Sequence, residues 1–241
     1  MPLLAERLRG YLFRDQNNDW RAYHAVILEH VEPRMVVLDV GCGRGILDPF
    51  PWKAVRPSRL IGLDPDPAAA SNASLDQFHL MTPGNPWPVA DGSVDLIVAR
   101  YVLEHVDDPA TFFGEVKRVL APAGRFVFLT PNRRHPAMIC SRFLNDAVKL
   151  TLLGLRSIKS EDVFPTHYRM NTPAELGGAA ARAGLTIRSL AVREFQPVVY
   201  LDFSIPTFAI AWYVYCCIRY TPLEAALGCS LLGVLEKSPA V

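Results

Sequence analysis

The chain has 241 residues, with 25 basic and 24 acidic side chains, so its formal net charge is +1 and no global field points toward nucleic acid. Half of the residues are apolar, enough to bury one substantial core with an accessory element. Met1-Pro-Leu-Leu-Ala-Glu6 meets charge too soon for a secretory signal, and Cys42, Cys140, Cys216, Cys217 and Cys229 show neither a C-x-x-C pair nor histidines at zinc spacing. A reduced cytosolic setting without a metal centre is the expectation.

In chain order, residues 11–31 read as a helix with Trp20, Tyr23 and Ile27 on the apolar side. Val36-Val-Leu-Asp39-Val-Gly41-Cys42-Gly43-Arg-Gly45 then runs an apolar strand into an acid and glycines at alternate positions. Gly41, Gly43 and Gly45 permit a tight turn that a ligand can approach closely. Asp39 sits inside the strand's end, where a carboxylate is costly unless paired, and a cationic small molecule lying on the turn would supply the partner. The dinucleotide fingerprint G-x-G-x-x-G fits poorly: the third glycine comes one residue early, Ile46 stands where glycine is wanted, and Asp39 would repel a phosphate. Leu60-Ile-Gly-Leu-Asp64 is a second apolar run ending in an acid, placed as in folds that grip a ribose through its hydroxyls, and Pro65 and Pro67 end it.

Asp91-Gly92-Ser93 is turn chemistry, Val94–Val98 is a short buried strand, and 100–106 forms the loop at its carboxyl end, where open α/β sheets keep their ligands. Asp107, Asp108 and Pro109 start a helix to about Leu120 with Phe112, Phe113, Val116, Val119 and Leu120 on one face. Ala121-Pro-Ala-Gly124 ends it, and 125–130 is the next strand. Thr172-Pro173-Ala-Glu175 opens another helix, and 185–193 and 231–237 read as the last two strands.

The segment 36–45 resembles the first motif of the class I S-adenosylmethionine-dependent methyltransferases. Residues 86–106 are similar to the "PFPDGSFDLV…LEHV" stretch of their small-molecule, methyltransferase 11-like branch. Residues 118–132, ending in Thr130-Pro131-Asn132, resemble its "RVLKPGGxhhhxTPN" block. The likeness is close over residues 25–132 and looser over 160–195, and the Leu103-Glu-His-Val106 stretch is also similar to ubiquinone-biosynthesis O-methyltransferases.

The resemblance implies an α/β, Rossmann-like sheet of seven strands with helices on both faces and a closing antiparallel pair, all one methyltransferase domain over 1–241. It implies S-adenosyl-L-methionine as cofactor, held by Asp39, Gly41, Cys42, Gly43, Gly45, Asp64, Pro65, Arg100 and Tyr101, with the helix of 11–31 either over the cofactor or packed on the core. His105 is the first candidate base, the alternative being that Glu104 and His105 hold the loop; His167 and Tyr168, in a lid-like "HxRxxT" stretch, are the second. Two departures stand out. The acid expected near Pro83 is missing, leaving adenine to backbone groups or Asn85, and Tyr101 occupies the place of an extra glutamate of the ubiquinone enzymes, against a metal-assisted mechanism.

Two insertions distinguish the chain, 133–170 and 196–228, on the side that shapes the substrate. In the first, a lid-like basic insertion, Arg142, Lys149 and Arg156 recur every seven residues beside Ile139, Phe143, Leu150 and Leu153: a helix that lies on an anionic membrane, or a cap with a solvated face. In the second, Phe203–Ile218 is uncharged but short of a span, so a buried or interfacial helix is expected. The reaction expected is methyl transfer to oxygen of a small hydrophobic or lipid-linked acceptor, such as a prenylated quinone precursor, a polyketide or a lipid-linked glycan. The setting expected is the cytosol, with peripheral contact at the inner face of a membrane. The rivals are a silent S-adenosylmethionine-binding scaffold and an NAD-dependent oxidoreductase. Nucleic acid is excluded as partner, since the Asn/Asp-Pro-Pro-Tyr/Phe motif is missing.

Overall fold

In the computed structural model, which describes residues 19–46, 50–141, 165–195 and 205–238, seven strands form one sheet. They are β1 (Val36–Val40), β2 (Arg59–Asp64), β3 (Gln77–Leu80), β4 (Val94–Arg100), β5 (Leu120–Pro131), β6 (Leu185–Arg193) and β7 (Ser230–Lys237), in spatial order β3-β2-β1-β4-β5-β7-β6. The pairs through β5 are parallel, and β7 runs antiparallel to both β5 and β6. The helices are α1 (Asp19–His30), α2 (Trp52–Val55), α3 (Pro109–Val119), α4 (Pro136–Ser141), α5 (Pro173–Arg182), α6 (Ile205–Arg219) and α7 (Glu224–Leu227). The expected Rossmann-like architecture is present.

Strand side chains alternate between faces, so the apolar runs split into two cores. Leu38, Ile97 and Phe126 join Phe112, Phe113 and Val116 of α3 and Leu176 of α5 on one face. Val37, Leu96 and Val127 join Tyr23 and Ile27 of α1 and Trp52 of α2 on the other. Each such buried side chain contributes roughly 1.5–3 kcal/mol. The helix starts are those the sequence announces. Asp108 accepts from the N–H groups of Ala110 and Thr111 ahead of α3, and Thr172 caps α5 by accepting from Glu175 N–H.

Two features differ from the sequence reading. The edge strand β3, Gln-Phe-His-Leu, has no strong alternation and gives no strand signal in the sequence. Strand β5 begins at Leu120 rather than Arg125, because Leu120 already pairs with Val94; Ala123, at φ +61°, then carries the irregularity before Arg125 pairs with Leu96. The helix expected within the uncharged run 203–218 is present where the run is described, as α6 over Ile205–Arg219. Among the described residues, no helix is long and apolar enough to cross a membrane. The basic heptad of Arg142, Lys149 and Arg156, the residues 11–18 expected in the first helix, and Phe203 lie outside the described residues.

Candidate active site

The turn after β1 is built so that glycine alone fits. Gly41 holds φ +70°, and a Cβ there would stand 2.4 Å from Val102 Cγ2; Gly45 holds φ +68°, and its Cβ would meet Asn72 Oδ1 at 2.5 Å. Asn72 fastens the turn by donating from Nδ2 to the carbonyls of Cys42 and Gly43, each at 3.2 Å. Sequence reasoning missed Asn72, which reads locally as one more polar loop residue. Cys42 turns its Sγ toward β2, where a Cβ on Gly62 would come within 2.8 Å of it, and burial pushes the thiol's pKa well up. Asp64, at the end of β2, is buried, with Oδ2 accepting from Gly43 N–H at 2.9 Å and Oδ1 from Asp66 N–H at 2.8 Å. The acid at the second strand's tip is thereby locked to the glycine turn of the first.

Asp39 follows the strand alternation onto the α1 face, the same face as Arg100 two residues beyond Val98, its register partner. Burial pushes its carboxyl up to about 7, the Arg100 guanidinium pulls it down, and Asp64 pushes it up further. The protein therefore brings a cation of its own to Asp39, which the sequence reading left to the ligand. On the same face Tyr23 has its hydroxyl pKa raised by burial first and by Asp39 second. Tyr101, next after Arg100, takes φ +57°, donates its N–H to Leu129 O at 2.8 Å, and gives its phenol hydrogen to Asp19 on α1. That contact ties α1 to the loop beyond β4, and a left-handed tyrosine is strain of the sort that clusters at functional sites.

A cavity of about 680 Å³ opens at the carboxyl ends of β1, β2 and β4. Gly41, Gly43, Asp64, Pro65 and Tyr101 are in its wall; Asp39, Cys42, Gly45 and Arg100 are not. Across it stand His105, His167 and Pro165, with Met81, Val102 and Val106 between, and Trp87 and Phe112 packed edge to face at 5.5 Å. Asn85, the residue expected near adenine, also lines it. The Trp87 segment is clamped from α3: Trp87 N–H donates to Glu115 at 2.6 Å, and Arg118 donates to the carbonyls of Trp87 and Val89 at 2.9 and 2.8 Å. Asp64, Asp107, Asp108 and Glu115 are among the lining residues, with Glu115 paired to Arg118 and Asp107 to Arg169, and no lysine or arginine is among the described lining residues themselves.

The histidines are held by a strap, residues 165–171. His105 ends a short 3₁₀ turn, Leu103–His105, and its Nδ1 lies 2.7 Å from Pro165 O. A carbonyl can only accept, so Nδ1 carries the hydrogen and, in the neutral ring, Nε2 carries the lone pair. His167 places Nδ1 3.4 Å from Asp107 Oδ1, and Arg169 reaches the same oxygen at 3.2 Å. Tyr168, at φ +51°, directs its hydroxyl to Met138 Sδ on α4 at 3.8 Å and is not in the cavity wall. Two of the three expected catalytic side chains thus share one cavity, and the third faces a helix.

A sheet parallel from β3 through β5, whose first crossover carries a glycine turn locked to the acid of the second strand, is the frame of an α/β protein that holds a nucleoside-type cofactor at its strand tips. The sequence profile of the methyltransferase-domain family matches residues 12–190. A Mycolicibacterium smegmatis protein named "Probable S-adenosylmethionine-dependent methyltransferase" is 36% identical over 143 residues, 55% of this chain and 52% of that protein, so the match spans about half the relative's length. The ubiquinone biosynthesis O-methyltransferase of Chromobacterium violaceum is 30% identical over 175 residues, 67% of this chain and 69% of that one. The crystal structure of an S-adenosylmethionine-dependent methyltransferase from Mesorhizobium loti shares the fold with a TM-score of 0.59 at 19% identity, over 91% of this chain and 97% of that one. The chain belongs to the class I S-adenosylmethionine-dependent methyltransferases.

Proposed function

We propose that the chain transfers the methyl group of S-adenosylmethionine to a hydroxyl oxygen of a small apolar or lipid-linked acceptor. One observation carries the reading: a single cavity joins the glycine turn and Asp64 to His105 and His167 across an apolar wall. The residues suit the donor. Nothing stands within 4 Å of the place a Cβ would take on Gly43, so a ligand can approach that backbone, and Asp39 and Asp64 suit a cation resting on it. In this assignment Gly41, Gly43 and Gly45 shape the turn with Cys42 packed beneath. Asp64 takes the ribose hydroxyls, Pro65 and Tyr101 border the donor, and Arg100 offsets part of the effect of burial on Asp39.

Bound there, S-adenosylmethionine supplies a methyl group already activated on a sulfonium, with a neutral thioether as leaving group. The chain's own residues then have to align the acceptor, exclude water and remove a proton. His105 Nε2 accepts the hydroxyl proton while Nδ1–H stays on the Pro165 carbonyl, which stabilises the imidazolium that forms. His167, oriented by Asp107, is the second base of the cavity, and Tyr168 serves through its backbone. Relatives named as O-methyltransferases support oxygen as the target. The apolar wall, with no lysine or arginine among its described lining residues, favours a neutral acceptor over a phosphorylated one.

The two insertions complete the substrate side of one methyltransferase domain that works in the cytosol at a membrane's inner face. Ile210 and Tyr213 of α6, 60% and 70% exposed, support a peripheral contact. Calorimetry with S-adenosylmethionine and S-adenosylhomocysteine tests the donor site; no heat with either would leave a scaffold as the reading, and binding of a nicotinamide dinucleotide would favour an oxidoreductase. Labelled-methyl assays on hydrophobic extracts identify the acceptor, and liposome flotation with recovery only in the soluble fraction removes the membrane contact.

A further inference from the structure

Glu104 is a buried acid to which the proposed reaction gives no task. It lies between Leu103 and His105 and is 5% exposed. Its Oε2 accepts from Thr130 Oγ1 at 2.9 Å; Thr130 Oγ1 in turn accepts from Asn171 Nδ2 at 2.7 Å, and Asn171 Nδ2 also donates to Pro131 O at 3.1 Å. At its other end, the Glu104 carbonyl accepts from the N–H groups of His167 and Tyr168 at 2.7 and 3.1 Å. One residue is therefore fastened at both ends to the strap, by its backbone to 167–168 and by its side chain, through β5, to Asn171. The strap is anchored beyond by Met170, Asn171 and Thr172, all fully or nearly fully buried.

This arrangement works against stability. A buried carboxyl is expensive, and desolvation drives its pKa up to about 7 against weaker help from Thr130 and the backbone. An apolar side chain of similar volume would fill the space without that cost. The geometry explains what the acid does there. The Nδ1–H of His105 is satisfied by Pro165 O on the strap, so the ring's tautomer depends on where the strap lies.

We propose that Glu104 is a positioning residue: through Thr130 and Asn171 it fixes the strap of residues 165–171 against the 103–105 turn, which sets the tautomer of His105 and places His167 across the same cavity. The inference rests on the reading of His105 as base, and it is separable from that reading by experiment. Nitrogen-resolved NMR of the histidine rings, on the full chain with S-adenosylhomocysteine added, reports which ring nitrogen of His105 is protonated. The wild-type ring is expected to carry its hydrogen on Nδ1. Glu104→Ala is expected to lose that signal in favour of Nε2–H, and Glu104→Gln, which still accepts from Thr130, to restore it. Thr130→Val cuts the same chain from β5 and gives the decisive reading if Glu104→Ala does not fold. An unchanged His105 tautomer in Glu104→Ala, or in Thr130→Val where that variant is the one that folds, overturns the proposal. A His105→Asn chain that methylates at full rate removes the base instead, and leaves the tautomer result standing.

Discussion

Replacing Glu104 by glutamine should stabilise the protein selectively at high pH. The carboxyl has an ordinary value of 4.5 when exposed and about 7 in the folded chain, with burial as the main cause. Between those values the folded state holds a proton that the unfolded state has released, so stability falls as pH rises through the window and is level above it. Each pH unit of difference is worth about 1.4 kcal/mol, so ionised Glu104 costs about 3 kcal/mol relative to its protonated form. Glutamine keeps an oxygen to accept from Thr130 and cannot ionise. Its amide hydrogens add an unsatisfied-donor cost of roughly 1–3 kcal/mol, but that cost is independent of pH. The comparison therefore rests on the slope: the stability of Glu104→Gln relative to wild type should improve by about 2–3 kcal/mol between about pH 5 and about pH 8. Urea unfolding at both pH values measures it by linear extrapolation. Asp39 also titrates near neutrality, but it is common to both proteins and cancels. Parallel stability profiles would mean that Glu104 is not driven up by burial, and the reasoning fails.

The other expectations concern the donor site. Asp64→Ala removes the carboxylate that accepts from Gly43 and Asp66 N–H groups and should weaken S-adenosylhomocysteine binding about tenfold or more while the fold persists; unchanged affinity in calorimetry would place the ribose contact elsewhere. Asn72→Ala loses the donors to Cys42 O and Gly43 O, so it should lower stability by about 1–3 kcal/mol and loosen donor binding together, as read by denaturant melts and titration. Affinity for S-adenosylmethionine should fall as pH drops through about 7, because protonation removes the charge of Asp39. Asp39→Asn should flatten that dependence, and a profile that persists in the variant assigns it to another group.

The parts of this site that can be read from sequence are those in which local chemistry and tertiary role coincide. Gly41 and Gly45 need left-handed backbone wherever they occur, and Asp64 ends a strand that β1 must pair with, so both show in a linear pattern. Asn72, Glu115 and Thr130 act on partners 30, 28 and 26 residues away, and nothing in their own neighbourhoods announces it. The edge strand β3 is set by pairing with β2 rather than by its own alternation, and β5 starts early because Val94 offers Leu120 a partner. Asp39 is the most instructive case. The pattern marks an acid inside the strand's end, but only strand alternation in three dimensions puts it and Arg100 on one face.

On the proposed reading, that division between locally and distantly determined residues follows the chemistry. The donor is a cation whose charge disperses as the methyl group moves to a neutral oxygen. Carboxylates that attract the sulfonium, Asp64 and Asp39 above all, therefore favour the bound ground state at least as much as the transition state, and their effect belongs in KM. Acceleration has to come from alignment and from the timing of proton removal, which are properties of His105 and the strap. A charge pattern that binds a cation can be written into one turn and two strand tips. Alignment requires the 103–105 turn, the tip of β5 and the strap to be joined in space, and the chain makes that joint with a carboxylate that weakens its own fold.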